Sequence, residues 1–389
     1  MYYLLGKTLK HSLSKEIHEM ISDIDYDYME LDEISLLNRD FLGLNVTIPY
    51  KEEILGILDF VDDFAKEIGA VNTVVNDNGI LRGYNTDYYG FMKLVQKNNI
   101  EFMGKRILII GTGGSSKTVT KYAVDSEALS IDYCSRTKGI PVSELEDIYD
   151  IIVNTTPVGM YPDDSLILDL SNFNVEAAID LVYNPLRTRF SLSANTKTVN
   201  GLYMLISQAV RAQEIFFNES LEHKIEEVYT KLLMRLTNIV LIGMPMSGKT
   251  TLAREISTRF NKEHLDTDVL IEEIDSIEKL IVDLPNFRRI ESKVVDGIKF
   301  ETDKVISTGG GVILNKENIA CLKLNGIVFY IDRSLDYLKN QSTKGRPLLK
   351  ESGSLKRMFD KRETLYNTAA DIVVKDVEEI YEYFNTKWS

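Results

Sequence analysis

Residues Gly243 to Thr250 read G-M-P-M-S-G-K-T, and their types and spacing suit them to hold a polyphosphate. Consecutive backbone N–H groups in such a loop face phosphate oxygens, the Lys249 ammonium reaches the outer phosphates, and the Thr250 hydroxyl is placed to ligate Mg²⁺. Gly243, Ser247, Gly248, Thr250 and Thr251 are its candidate nucleotide-binding residues. An ordinary glycine turn is disfavoured by context, because the apolar run TNIVLIG precedes the loop and the helical pattern TTLAREISTRF follows it. This part of the chain is expected to bind a nucleoside triphosphate.

A second glycine cluster, G-T-G-G-S-S-K-T from Gly111 to Thr118, sounds similar but carries Ser116 where a phosphate loop needs its second glycine. A residue with a Cβ resists the backbone conformation required there. Gly111 and Gly113 instead match the first two glycines of G-x-G-x-x-G, one for the tight turn and one for close approach to a pyrophosphate. With the strand-loop-helix context RILIIGTGGSSKTVTKYAV, this reads as a dinucleotide loop, and Gly111, Gly113, Gly114 and Ser115 are its candidate coenzyme-binding residues. Roughly 20 to 25 residues later an NAD site places an acid at a strand end. Here the chain has IDYCSRTK, and Ser135, Arg136, Thr137 and Lys138 offer hydroxyls and positive charge suited to a 2′-phosphate. NADP(H) is therefore expected over NAD, the competing acid Asp132 lying inside the apolar strand pattern.

Elements able to position these loops are visible as apolar runs, among them YYLLG, LGLNVTIPY, KRILIIG, YDIIVNTT, EAAIDLVYN, TNIVLIG, DKVISTGG and NGIVFYID. Alternating with helical patterns, they predict α/β architecture with mostly parallel sheets. The expected domains are 1–103, a lobe completed by 199–235; 104–198, around the dinucleotide loop; and 236–389, around the phosphate loop. The helical stretch NGLYMLISQAVRAQEIFF is expected to return to the N-terminal lobe, and the major boundary is expected near Leu236.

Composition excludes several classes. Hydrophobic residues make up 44% and charged residues 27% of the 389, an ordinary soluble mixture. No apolar run approaches the roughly 20 residues that span a bilayer, and the N-terminus lacks a signal-peptide pattern. Neither a membrane nor export is expected. Net charge is −14 at pH 7, which opposes nucleic-acid binding. Cys134 and Cys321, the only cysteines, show no metal spacing and suggest reduced thiols in a cytoplasm. The sequence assigns no oligomeric state.

Ordered motifs in the last third, HLDTDVLIEE, FRRIE, STGGGV, GRPLL and KRETLYNTAAD, together with the phosphate loop, resemble shikimate kinase over most of residues 238 to 374. The resemblance implies ATP as phosphoryl donor, Asp266 near Mg²⁺ and Asp268 holding the shikimate hydroxyl that attacks the γ-phosphate. It also implies Arg288 and Arg362 as carboxylate clamps, a task suited to planar, bidentate guanidinium groups. Gly309, Gly310 and Gly311 would let substrate approach backbone N–H groups, and Arg346 would close as a lid over developing charge. The chain departs from the family at VDLPNFRR, where Gly-Glu usually precedes the Phe-Arg pair.

The first half resembles shikimate 5-dehydrogenase over residues 3 to 220, through KHSLSKEIH, LNVTIPYK, IGAVNTVV, GYNTD, GTGGSS, SRTK, VNTTPVGM, IDLVYNP and NGLYMLISQA. It implies Ser12 and Ser14 on the substrate carboxylate, and Thr47, Asn72, Asp87 and Gln208 on ring hydroxyls. Lys51 and Asp87 would form the catalytic pair, with Tyr183 lining the substrate and Gly201 the nicotinamide. Only about a dozen residues separate SRTK from YDIIVNTT, close to the minimum for a parallel crossover, so a helix usual in the family is expected to be lost or shortened. Ile140 stands where a second arginine is common.

Together the resemblances imply an α/β substrate-binding lobe plus a Rossmann NADP-binding domain, followed by a P-loop, nucleoside monophosphate kinase-like, parallel-sheet kinase domain. The expected chemistry is reduction of 3-dehydroshikimate to shikimate, then phosphorylation to shikimate 3-phosphate. Alternative expectations are quinate oxidation by the first half, or a nucleotide-sensing regulator without turnover.

Overall fold

A computed structural model of the chain describes residues 1–10, 12–136, 139–341 and 354–388. The chain forms two compact units, Met1–Asn184 with Thr188–Lys231, and Pro185–Arg187 with Leu232–Ser389.

The first unit opens with β1 (Tyr2–Gly6), α1 (Ser14–Ile21), β2 (Tyr26–Glu30), β3 (Gly43–Val46), β4 (Phe60–Val61), α2 (Asp63–Ile68), β5 (Thr73–Asp77), β6 (Ile80–Tyr84) and α3 (Asp87–Lys97). Its six strands are ordered β2-β1-β3-β5-β6-β4, parallel except where β5 runs against β3 and β6. The exception follows from Asn78-Gly79, whose φ values of 54° and 93° make the two-residue turn that closes a hairpin.

Next come β7 (Arg106–Ile110), α4 (Gly114–Asp125), β8 (Ser130–Cys134), β9 (Ile151–Asn154), β10 (Ala177–Asp180), α5 (Arg189–Ser193) and β11 (Lys197–Asn200). They build an all-parallel sheet in the order β11-β10-β9-β7-β8. The order reverses direction at β7, so a crevice opens beyond its carboxyl end, where α/β sheets bind ligands. Between β8 and β9 the described residues hold only a 3₁₀ turn, Val142–Glu144. The sheet face is covered instead by Leu168, Leu170, Val175 and Phe190.

Two helices, α6 (Leu202–Phe217) and α7 (Lys224–Leu236), follow. The first packs on the N-terminal lobe: Gln213 Nε2 donates to His18 O of α1 at 2.8 Å, and a Cβ on Gly90 of α3 would stand 2.6 Å from Met204 O. Phe91 of α3, Phe102 and Tyr122 of α4 meet edge to face at 5.2–5.9 Å and fix α4 against the lobe. Each such pair contributes about 1 kcal/mol beyond its burial.

The second unit contains β12 (Asn238–Ile242), α8 (Lys249–Phe260), β13 (Glu263–Asp266), α9 (Thr267–Glu272), α10 (Ile277–Leu280), α11 (Leu284–Gly297), β14 (Lys304–Ser307), α12 (Lys316–Lys323), β15 (Gly326–Ile331), α13 (Leu335–Lys339), α14 (Ser354–Ala369), β16 (Ile372–Val374) and α15 (Val377–Trp388). Five parallel strands run in the order β13-β14-β12-β15-β16. Central β12 is buried on both faces: Val240 and Ile242 join one core, Ile239 and Leu241 the other. Strand alternation dictates that division, and each side chain contributes about 1.5–3 kcal/mol. Where the family's Gly-Glu is missing, Asp283 caps α11 by accepting from Asn286 N, with Pro285 in the first turn.

The division between units falls inside α7, between Lys231 and Leu232, close to the expected boundary near Leu236. There Lys262 Nζ donates to Met234 O at 2.8 Å and Leu232 is fully buried. Among the described residues no helix is long and apolar enough to cross a membrane.

Candidate functional site

In the first unit, the segment after β3 carries Lys51, whose carbonyl accepts from Val71 N at 2.8 Å. Asp87 is the first residue of α3, where the helix dipole favours a carboxylate. Lys51 Nζ donates to Asp87 Oδ2 at 2.6 Å, and the side chains are only 15% and 6% exposed. Asn72 Nδ2 lies 3.0 Å from Asp87 Oδ1 and 3.2 Å from Gln208 Oε1 of α6. Four expected site residues from separate segments thus share one network. Its junction is Thr86, to which no role was given from sequence: its N–H donates to Asn72 Oδ1 at 2.7 Å and its hydroxyl accepts from Asn72 Nδ2 at 2.9 Å.

Ser12 and Ser14 form a second group, their hydroxyls 3.1 Å apart, with Tyr28 donating to Ser12 O at 2.8 Å. Burial pushes the Tyr183 phenol up to about 12, against the pull of a hydrogen bond with Ser12. Thr47 stands just past β3 with its N–H donating to Leu5 O at 2.9 Å. Gly201 caps α6, donating to Val182 O, and a Cβ there would stand 2.1 Å from Leu181 O.

At the crevice, Gly111 adopts φ 109°, and a Cβ there would meet Thr155 Oγ1 at 2.6 Å. Gly113 caps α4, whose first turn starts at Gly114 and Ser115. A Cβ on Gly114 would lie 3.5 Å from Lys51 Cβ and Cδ, so the lysine runs directly past the glycine loop. Beyond β8, Arg136 is exposed, whereas Asp132 sits mid-strand and acts with burial to push Tyr149 up to about 12. The residues fit an NADP-type coenzyme: backbone N–H groups for a pyrophosphate, and a cation without a competing acid at the strand end. Ser135 follows the end of β8, while Thr137 and Lys138 lie outside the described residues.

In the second unit, Gly248 (φ 88°) immediately precedes α8, and Lys249 is its first residue. Lys249 Nζ donates to Gly243 O and Met244 O at 3.0 Å. Ser247 is buried and Thr251 lies in the first turn of α8. Thr250 Oγ1 donates to Asp266 Oδ2 at 2.9 Å, and the same oxygen accepts from Ser307 Oγ at 2.8 Å. A hydroxyl beside a carboxylate at a phosphate loop is the sparse oxygen set that suits Mg²⁺, which keeps several waters and takes its other ligands from phosphates.

A cavity of about 460 Å³ extends from Thr250 and Asp266 past Asp268 to Arg288 and Arg362. Gly309 N donates to Thr267 Oγ1 at 3.0 Å, and a Cβ on Gly309 would come within 2.6 Å of Asp268 Oδ1. Arg362 Nη1 donates to Gly310 O at 2.8 Å, while a Cβ on Gly311 would strike the Arg288 guanidinium at 2.1 Å. Sequence reasoning missed Glu291, one helical turn beyond Arg288 on α11, which accepts from Arg288 Nη1 at 2.6 Å. Burial raises its carboxyl above the usual range, and Arg288 opposes the rise. The spacing of three along FRRIE was the signal for this pair. Arg346 lies outside the described residues.

The family model for shikimate kinase matches residues 245–387, and that for the shikimate dehydrogenase substrate binding domain matches residues 4–74. A shikimate dehydrogenase (NADP(+)) of Clostridium perfringens is 36% identical over 271 residues, covering 60% of this chain and 99% of the relative. Among solved structures, shikimate dehydrogenase 1 from Peptoclostridium difficile matches with a TM-score of 0.54 and 37% identity, covering 59% of this chain and 97% of that one. The enzyme from Thermus thermophilus in complex with NADP(H) and shikimate matches at 0.53 and 29%, over 59% and 98%.

Proposed function

The chain belongs to the shikimate dehydrogenase family and carries a shikimate kinase domain behind it, and we propose on that premise which residues perform two successive reactions. The first half reduces 3-dehydroshikimate to shikimate with NADPH; the second phosphorylates shikimate to shikimate 3-phosphate with ATP. The observation that carries the assignment is the position of Lys51, held by Asp87 at 2.6 Å on one side and passing Gly114 of the coenzyme loop on the other.

NADPH supplies the hydride when bound along Gly111, Gly113 and the start of α4. Lys51 donates a proton to the carbonyl oxygen as it becomes an alkoxide, and its charge stabilises that oxygen beforehand. Asp87 keeps the ammonium aimed and accepts from a ring hydroxyl. Asn72 and Gln208 hold further hydroxyls, Ser12 and Ser14 the carboxylate. Thr47 and Tyr183 complete the substrate wall.

In the kinase half, Thr250 and Asp266 would hold Mg²⁺, which would supply positive charge to the phosphates. Asp268 accepts the proton of the attacking shikimate hydroxyl, and Arg288 and Arg362 fix the substrate carboxylate. Glu291 holds Arg288 in place. Lys249 exchanges its loop carbonyls for phosphate oxygens. We assign the protein to the cytoplasm, where NADPH and ATP are both supplied.

A two-stage assay tests the reading on the intact chain. Loss of NADPH absorbance should require 3-dehydroshikimate, and added ATP with Mg²⁺ should then yield shikimate 3-phosphate. Quinate supplied with NADP⁺ distinguishes a quinate-directed first half. Turnover of neither substrate by folded protein would leave only the nucleotide-sensing alternative.

A further inference from the structure

Asp266 lies on the edge strand β13, and the alternation of that strand puts His264 on the same face two residues earlier. The neighbouring strand β14 places Ser307 in register with Asp266. Side chains from the two strands meet there. Ser307 Oγ is 2.8 Å from Asp266 Oδ2 and 2.9 Å from His264 Nε2.

Hydrogen counting sets the direction of these bonds. A serine hydroxyl has one proton. It goes to Asp266, which as a carboxylate only accepts. The remaining contact must therefore have His264 Nε2–H donating to Ser307 Oγ. The same Asp266 oxygen also accepts from Thr250 Oγ1 at 2.9 Å. A directed chain thus runs from His264 through Ser307 to the carboxylate oxygen that faces the phosphate-loop threonine.

We propose that His264 and Ser307 are positioning residues for Asp266, and that through it they set how tightly the kinase half holds the metal of its metal–nucleotide substrate. The proposal rests on the assignment of Asp266 to the Mg²⁺ side of the ATP site. Its physical basis is that an outer hydrogen-bond donor fixes the orientation of a carboxylate and so lowers the cost of presenting it to a cation. Without Ser307 the carboxylate retains Thr250 and the Asp268 N–H, which donates to Oδ1 at 2.9 Å, but loses the donor from β14. Without His264 the serine hydroxyl is free to turn away.

The test uses the full-length chain with Mg²⁺ titrated, the half-saturating concentration being read from kinase rate at saturating ATP and shikimate and, without turnover, from the rise in melting temperature that Mg²⁺ produces at fixed ATP with shikimate omitted. Losing an outer partner typically weakens metal affinity by about tenfold or more. Ser307→Ala should approach that value, and His264→Phe should give a smaller rise of about threefold. His264→Gln, whose amide N–H replaces the ring donor, should stay close to wild type. The KM for shikimate should not move, because the carboxylate clamps are untouched. In the double variant the effects should not add, since one chain is broken only once.

Equal Mg²⁺ dependence in wild type and both single variants, or full additivity, overturns the proposal. Should Ser307→Ala fail to fold, the comparison of His264→Phe with His264→Gln decides it alone. Asp266→Asn serves as the control for the underlying assignment: if that change leaves the Mg²⁺ dependence alone, the role of Asp266 fails first. If it raises the dependence while the other variants do not, only the positioning role fails.

Discussion

Lys51 and Asp87 are 36 positions apart in sequence, yet their charged groups lie 2.6 Å apart, with the lysine methylenes against the position of Gly114. In the proposed mechanism, removing the ammonium would take away both the proton donor and the charge aimed at the alkoxide. Lys51→Ala should lower the dehydrogenase kcat by about 10²–10⁴-fold, the range of a positioned acid. ATP-dependent phosphorylation of added shikimate should be unchanged in the same sample. A parallel loss of both activities would instead indicate that the whole chain was disturbed.

Two glycines should respond differently to alanine because of what each new methyl meets. At Gly201 it meets Leu181 O, a backbone atom, at 2.1 Å. Gly201→Ala should therefore destabilise the first unit by about 1–3 kcal/mol or more, seen as a lower midpoint in denaturant. At Gly311 it meets the end of the Arg288 side chain. That guanidinium moves more easily than backbone, so Gly311→Ala should raise the KM for shikimate while leaving unfolding nearly unaltered.

Coenzyme choice should rest on Arg136, the exposed cation after β8. Arg136→Ala should raise the KM for NADP⁺ by about tenfold, the value of one charge-assisted hydrogen bond of about 1.5 kcal/mol. The KM for NAD⁺ should stay constant, since NAD⁺ lacks the 2′-phosphate. Equal effects on the two coenzymes would remove the charge argument.

Asp180 of β10 makes stability depend on pH. Burial lifts its carboxyl from 3.8 to about 6, despite hydrogen bonds from Thr188, Val182 and Asn154. The folded state keeps the proton to higher pH than the unfolded state does. This group's contribution is therefore complete below about pH 3.8 and is lost as pH rises through about 6. Asp180→Asn should lack this decline, so its melting temperature relative to wild type should rise between pH 4 and pH 7. A constant difference across that interval would falsify the assignment.

Much of the architecture was legible because local signals agreed with the global fold. TNIVLIG became a strand buried on both faces, and the motif after it opens α8 directly from Gly248. The β5–β6 hairpin was also signalled, by Asn78-Gly79, but a reading built on parallel strands passed over it. For the sites, sequence named residue types at motif ends but not the bonds between them. Thr86 and Ser307 needed tertiary register: each matters through a neighbour distant in the chain. The shortened crossover after β8 was readable from its length alone, whereas the apolar cover that replaces a helix there came from residues well downstream.

Ser116 lies inside α4, 3% exposed, with its carbonyl accepting from Thr120 Oγ1. Ser116→Gly would complete G-T-G-G-S-G-K-T, and any pattern search would then report two ATP loops in this chain. The protein would not acquire a second one. Its helix already begins at Gly114, so the new glycine would fall within helical backbone and cost about 1 kcal/mol there, with Lys117 still displaced along the helix. Spelling and shape are separable, and a triphosphate reads only the second.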